Sequence, residues 1–147
     1  MSLITLSSLK YMAPELRDLL LAANDNTAEN TSKSPSVAVV DVRDHDHVGG
    51  HIRTSMHFPT QSLDATMPTL LRKLADKDVV VFHCALSQQR GPSAALKYLR
   101  EKESKNAKGS DHQQRVYVLF GGFNKWAQDF GNNETLTEGF VADLHDL

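Results

Sequence analysis

Short runs of β-branched residues alternate along this chain with longer segments of helical hydrophobic periodicity. The runs VAVVDV at 37–42 and VVVFH at 79–83 are too short for helices and apolar enough to be covered on both faces. VYVLF at 116–120 reads as a third strand, and Leu3 to Leu6 as a weaker one. Residues 14–23 open with Pro14 and Glu15 and place Leu16, Leu19 and Leu20 on one helical face. Leu63, Met67, Leu70, Leu71 and Leu74 share a second such face, and Pro68 among them predicts that this helix starts or kinks there. From Pro92 to about Glu103, Ala94, Ala95, Tyr98 and Leu99 recur at helical spacing. This alternation predicts an α/β fold with a central, mainly parallel sheet flanked by helices. The polar stretches 23–36 and 102–115 have too little apolar surface to pack. They read as loops within one domain spanning residues 1–147.

Composition adds exclusions. Of 147 residues, 40% are hydrophobic and 23% charged, which fits an ordered soluble domain. Sixteen Lys and Arg against 18 Asp and Glu give a net charge of −2, so nothing in the overall charge calls for nucleic acid or an anionic membrane. The longest apolar runs, 19–23 and 116–120, are far short of the ~20 residues of a membrane span. The first residues lack the basic, apolar and small-residue order of a secretory signal. Localisation in the cytoplasm, the nucleus or both is expected. Cys84 is the lone cysteine, which excludes an intramolecular disulfide and a cysteine-rich zinc site.

The surroundings of Cys84 carry the chemistry. A buried strand runs into it, five residues follow, and then come Arg90, Gly91, Pro92 and a helix. In so tight a loop the N–H groups of Ala85, Leu86, Ser87, Gln88 and Gln89 can converge on one anion. The helix start adds unpaired donors and its positive dipole end. Arg90 supplies a planar fork that matches two oxygens of a tetrahedral oxyanion. The same positive field favours a Cys84 thiolate, a nucleophile facing the bound group. His83 should point to the opposite face of the strand, as a core histidine beneath the loop. The Ser87 hydroxyl is a candidate donor to the thiolate, although an ordinary turn serine has the same signature.

The loop contains no carboxylate; for a reaction there that needs a general acid, Asp44 or Asp46, just past the strand ending near Asp41, could approach. A metal reading of Asp44, His45, Asp46, His47, His51 and His57 is disfavoured, because Gly49 and Gly50 interrupt any helix that would align His47 with His51. No metal and no cofactor are expected. Asp41 and Arg43 read as a structural ion pair.

The string HCALSQQR resembles the His-Cys-x5-Arg phosphate-binding loop of cysteine-dependent phosphatases. With the following Gly-Pro it is similar to dual-specificity phosphatases of the cell-division-cycle type, which share the rhodanese fold, and above all to their small fungal stand-alone members and arsenate-reductase relatives. Asp41-Val-Arg43, Gly49-Gly-His-Ile52, His57-Phe-Pro59 and Leu119-Phe-Gly-Gly-Phe-Asn-Lys-Trp126 resemble further family stretches in the expected order. The resemblance implies a rhodanese-like domain with Cys84 and Arg90 as catalytic residues. Two departures stand out: Gln89 occupies a position where cell-cycle relatives often carry an acid, and the second cysteine that can trap an oxidised nucleophile is absent.

Four activities compete. A phosphatase acting on phosphotyrosine, or with dual specificity, would take phosphorylated protein or a small aryl phosphate. An arsenate reductase would use the same loop, which suits phosphate, arsenate or sulfate, and would need external glutathione or glutaredoxin to resolve its adduct. Sulfur transfer, the other rhodanese chemistry, uses loops one residue shorter. A non-catalytic phosphate-binding module has no need of both Cys84 and Arg90. The phosphatase is the expected function.

Overall fold

The computed structural model describes residues 9–12, 14–24, 36–105 and 114–141. In chain order its elements are β1 (Lys10–Met12), α1 (Pro14–Asn24), β2 (Val37–Asp41), β3 (His51–Ile52), β4 (Met56–His57), α2 (Leu63–Leu74), β5 (Val79–His83), α3 (Arg90–Lys105), β6 (Arg115–Leu119), α4 (Gly122–Phe130) and β7 (Thr137–Glu138). Five strands form a wholly parallel sheet in the order β1-β6-β5-β2-β4, while β3 and β7 pair antiparallel beside it. The α/β expectation is met. No helix among the described residues is long and apolar enough to cross a membrane.

Side-chain alternation along β5 divides the core in two. Val80, Phe82 and Cys84 face α2 and α3, where they meet Leu63, Met67, Leu70, Leu74, Ala94, Ala95 and Tyr98. Val79 and Val81 face α1 and α4, packing with Leu16, Leu20, Phe123 and Trp126. A fully buried leucine such as Leu70 contributes about 1.5–3 kcal/mol, so the two stripes hold the sheet between its helices. The central strand is thus immobilised from both sides, and the loop that follows it starts from a fixed point.

Several boundaries differ from the periodicity. α2 begins at Leu63 and runs through Pro68, not from it. Pro68 lies on the solvent side, where the helix carbonyl that loses its N–H partner can be hydrated. α3 extends to Lys105, so the first part of the stretch read as a loop is helix. At its far end Gln114 is a strut: its amide donates to the Leu74 and Lys77 carbonyls (2.6 and 2.9 Å) and its oxygen accepts from Tyr98 Oη (2.6 Å). β1 went unread because its exposed Lys10 and Tyr11 carry no apolar alternation; pairing with β6 makes it a strand. The strand expected over residues 3–6 lies outside the described residues, as does most of the 23–36 stretch.

Candidate active site

The Cys84 loop leaves the carboxyl end of β5, between β2 and β6, where parallel α/β sheets bind ligands. Cys84 is only 3% exposed. Its Sγ accepts the N–H of Ser87 (3.2 Å) and, from the first turn of α3, that of Gly91 (3.4 Å). Two amide donors thus converge on one sulfur, one of them at the N-terminal end of α3. Ser87 reaches this position with φ of 56°, a left-handed conformation costly for a non-glycine residue. The Ser87 hydroxyl, expected as a donor to the sulfur, makes no such bond. Ser87 holds the sulfur through its backbone, while its buried hydroxyl has no hydrogen-bond partner among the described residues. Gly91 packs closely beneath the loop: a Cβ there would lie 3.3 Å from Ser87 Oγ and His83 Cα, tighter than ordinary van der Waals contact. The amides of Ala85, Leu86, Gln88 and Gln89 donate to no acceptor among the described residues.

Behind the loop, its first two carbonyls are tied down. Phe123 N–H donates to the Cys84 carbonyl and Asn124 N–H to that of Ala85, both at 2.9 Å. Gly121 and Gly122 turn the chain into α4 with φ of 78° and 62°, and a Cβ on Gly122 would lie 2.4 Å from the Ala85 oxygen. The pair does more than make a tight turn, since it lets α4 grip the underside of the cysteine loop. His83 completes that underside. Fully buried, it presents Nδ1 to the Cys84 carbonyl at 3.1 Å, which selects the Nδ1–H tautomer. Burial pushes its pKa down against the pull of Asp41, so it is neutral at neutral pH. It is the core histidine that strand alternation predicts.

Asp41 and Arg43 form the expected structural pair, 0% and 1% exposed. Arg43 Nε donates to both Asp41 oxygens (3.0 and 3.1 Å), and Nη2 to Oδ2 (2.7 Å) and to the Gly50 carbonyl (2.9 Å). The guanidinium also lies 4.2 Å over the Phe123 ring. Burial alone would raise the Asp41 pKa; the His83 ring and the Arg43 bonds outweigh it and hold the carboxyl below its usual range. His47 sits 3.4 Å from Asp41 and stacks on His57 at 3.7 Å, while His51 approaches Glu138 at 3.3 Å.

Arg90 is not a free fork. Its Nη1 donates to Asp46 Oδ1 (2.8 Å) and its Nη2 to Asp46 Oδ2 (2.5 Å), with Asp44 Oδ2 at 3.3 Å from Nη1. Both candidate acids therefore reach the site, but as partners of the arginine. The Arg90 bonds hold Asp46 down to about pKa 2 despite some burial. Burial raises Asp44, and bonds from Thr60, Gln61 and Arg90 more than offset it. A pocket of about 350 Å³ opens beside Arg90, lined by Thr60, Leu63, Gln89, Ser93, Ala94 and Lys97. Lys97, on its wall, pairs with Asp64 and so joins α3 to α2. Sequence reasoning missed this pocket wall, since it is made where α2 packs on α3.

Residues 24–129 match the family model for the rhodanese-like domain. The chain is 34% identical over 152 residues to the CDC25-like phosphatase YCH1 of Saccharomyces cerevisiae, covering 95% of this chain and 96% of that one. It is 44% identical over 95 residues to arsenate reductase 2.1 of Oryza sativa subsp. japonica, covering 63% and 58% of the two chains. The solved structure of Ygr203w, described as a yeast protein tyrosine phosphatase of the rhodanese family, superposes with a TM-score of 0.74 at 35% identity, covering 92% of this chain and 96% of that one. Parallel sheet, family model and sequence similarity agree: the chain belongs to the rhodanese-like domain family, among its CDC25-like phosphatases.

Proposed function

We propose that this phosphatase hydrolyses phosphotyrosine, or phosphoprotein with dual specificity, and small aryl phosphates through a phosphocysteine on Cys84. One observation carries the reading. Cys84 Sγ lies under two amide donors, one from the loop and one from the first turn of α3, beside an arginine that already binds an anionic group in bidentate fashion. In the reaction the sulfur attacks phosphorus, the unpaired loop amides and Arg90 receive the charge on the equatorial oxygens, and water then cleaves the P–S bond. The loop Ala85–Arg90 in this reading is the oxyanion cradle, and no metal or cofactor takes part. Cytoplasm, nucleus or both is the compartment proposed.

The test is Cys84→Ser. The alcohol keeps the loop's shape but offers no thiolate at neutral pH, so turnover of an aryl phosphate should vanish. Phosphate binding should persist and stability should change by about 1 kcal/mol at most. Undiminished turnover in the purified variant overturns the covalent mechanism.

The 44% identity to a rice arsenate reductase favours a second reading, arsenate reduction at the same sulfur. Its adduct would need glutathione or glutaredoxin, since Cys84 is the lone thiol. Parallel assays of aryl phosphate release and of glutathione-dependent arsenate reduction decide between the two.

A further inference from the structure

The phosphatase reading leaves open which group protonates the leaving oxygen, because no residue of the loop carries a carboxyl. We infer that Asp46 is that proton donor, held in the resting site as an internal stand-in for substrate on Arg90 and freed when an oxyanion takes the guanidinium. This rests on the phosphatase reading.

Geometry selects Asp46. Its two oxygens meet the two terminal nitrogens of Arg90 side by side, as two oxygens of a phosphate would. Arg90 is also drawn electrostatically to Cys84, so an oxyanion attacked by Sγ and gripped by Arg90 competes directly with the Asp46 carboxylate. The displaced carboxylate then lies next to the bound group.

Asp44 does not fit the same role. Once Arg90 turns away, its Oδ1 still accepts from Gln61 N–H (3.0 Å) and its Oδ2 from Thr60 Oγ1 (2.5 Å), so it remains anchored and ionised. Asp46 keeps the Asp44 N–H on Oδ1 (2.9 Å) and a bond from its own backbone N–H, and loses its Arg90 partner on Oδ2. That oxygen becomes the protonatable one. The ionised Asp44 and the oxyanion beside it are negative and each favours the protonated acid, opposing the pull of Arg90, whose hydrogen bonds the oxyanion now takes. The side chain is also open to water, at 41% exposure, so a proton can reach it from solvent.

The steps balance. Cys84 Sγ bonds to phosphorus as the bond from phosphorus to the leaving oxygen breaks, and the Asp46 proton goes to that oxygen. A water oxygen then bonds to phosphorus, the P–S bond returns its electron pair to Cys84, and the water's proton goes to Asp46 Oδ2. One proton leaves Asp46 and one comes back.

Asp46→Asn tests this with two readouts. Phenyl phosphate, whose phenol needs a proton to leave, should lose on the order of 10²-fold in kcat, while 4-nitrophenyl phosphate loses only a few-fold. Tungstate, measured by calorimetry, should bind about tenfold tighter or more, because the neutral amide competes poorly for Arg90. Equal losses on both substrates, or tungstate binding no tighter than in the wild type, overturns the assignment. A wild-type chain that binds tungstate but releases neither phenol nor nitrophenol refutes the phosphatase reading itself, and Asp46's role with it.

Discussion

Two carboxylate–guanidinium pairs take their carboxylates, Asp41 and Asp46, from the end of β2 and the loop after it, and they are built from the same chemical groups. Asp41–Arg43 is sealed, with both side chains essentially without solvent contact, and the arginine is further held by the Gly50 carbonyl and the Phe123 ring. Asp46–Arg90 is half open, its side chains 41% and 33% exposed, and Arg90 stands beside a pocket. Burial separates their roles. Removing one member of a sealed pair strands a charge where water cannot reach it, so that pair stays closed and orders the loops around it. In the open pair water replaces any lost partner at little cost, so the bond can be exchanged for a ligand.

The largest effect should come from breaking the sealed pair. Arg43→Met leaves the Asp41 carboxylate buried without its cation and should destabilise the fold by about 3–5 kcal/mol, read by denaturant unfolding. Adding Asp41→Asn to the same chain should recover part of that loss, because the stranded charge is gone. An Arg43→Met chain as stable as wild type would erase the distinction between the two pairs.

Arg90→Lys breaks the open pair in the opposite currency. A single ammonium cannot span two oxygens in one plane, so kcat should fall on the order of 10²-fold or more, about 2.7 kcal/mol in the barrier. Stability should move by less than about 1 kcal/mol. Steady-state kinetics beside a thermal melt reads both. A large loss of stability with kinetics near wild type would make Arg90 a second structural residue.

The smallest effect is a pH dependence of stability. The folded-state pKa of His83 is depressed, with burial the main cause, so the unfolded chain binds its proton first as pH drops. The stability that neutral His83 contributes is complete above about pH 6.5 and falls below it, by at most about 1.4 kcal/mol per pH unit. His47, also depressed chiefly by burial, adds to the same window. Asp46, at about pKa 2, loses its contribution only between about pH 4 and 2, and its exposure keeps that contribution small. Melting temperatures from pH 7.5 to 5 should decline, and His83→Asn should flatten the slope without abolishing it. An unchanged slope would mean that the sealed cluster does not sense protons through His83.

What the sequence determined by itself is whatever depends on neighbours along the chain. Cys84 and Arg90 are joined by five residues, so a strand before and a helix after already place the thiol beneath amide donors; alternation on β5 alone sends His83 to the other face. The Asp41–Arg43 pair spans two residues and was legible for the same reason. Tertiary structure decided what depends on distant segments. Arg90 is met by a carboxylate 44 residues away only because β2 lies beside β5 in the sheet, and no local pattern specifies that pairing. Gly122 gained its meaning only once α4 folded back against the Ala85 carbonyl. The donor on Cys84 proved to be the Ser87 amide and not its hydroxyl, in a loop where Ser87 takes a left-handed backbone that its identity does not disclose. Local chemistry follows from the order of residues, whereas the partner of an exposed charge follows from packing between segments far apart in that order.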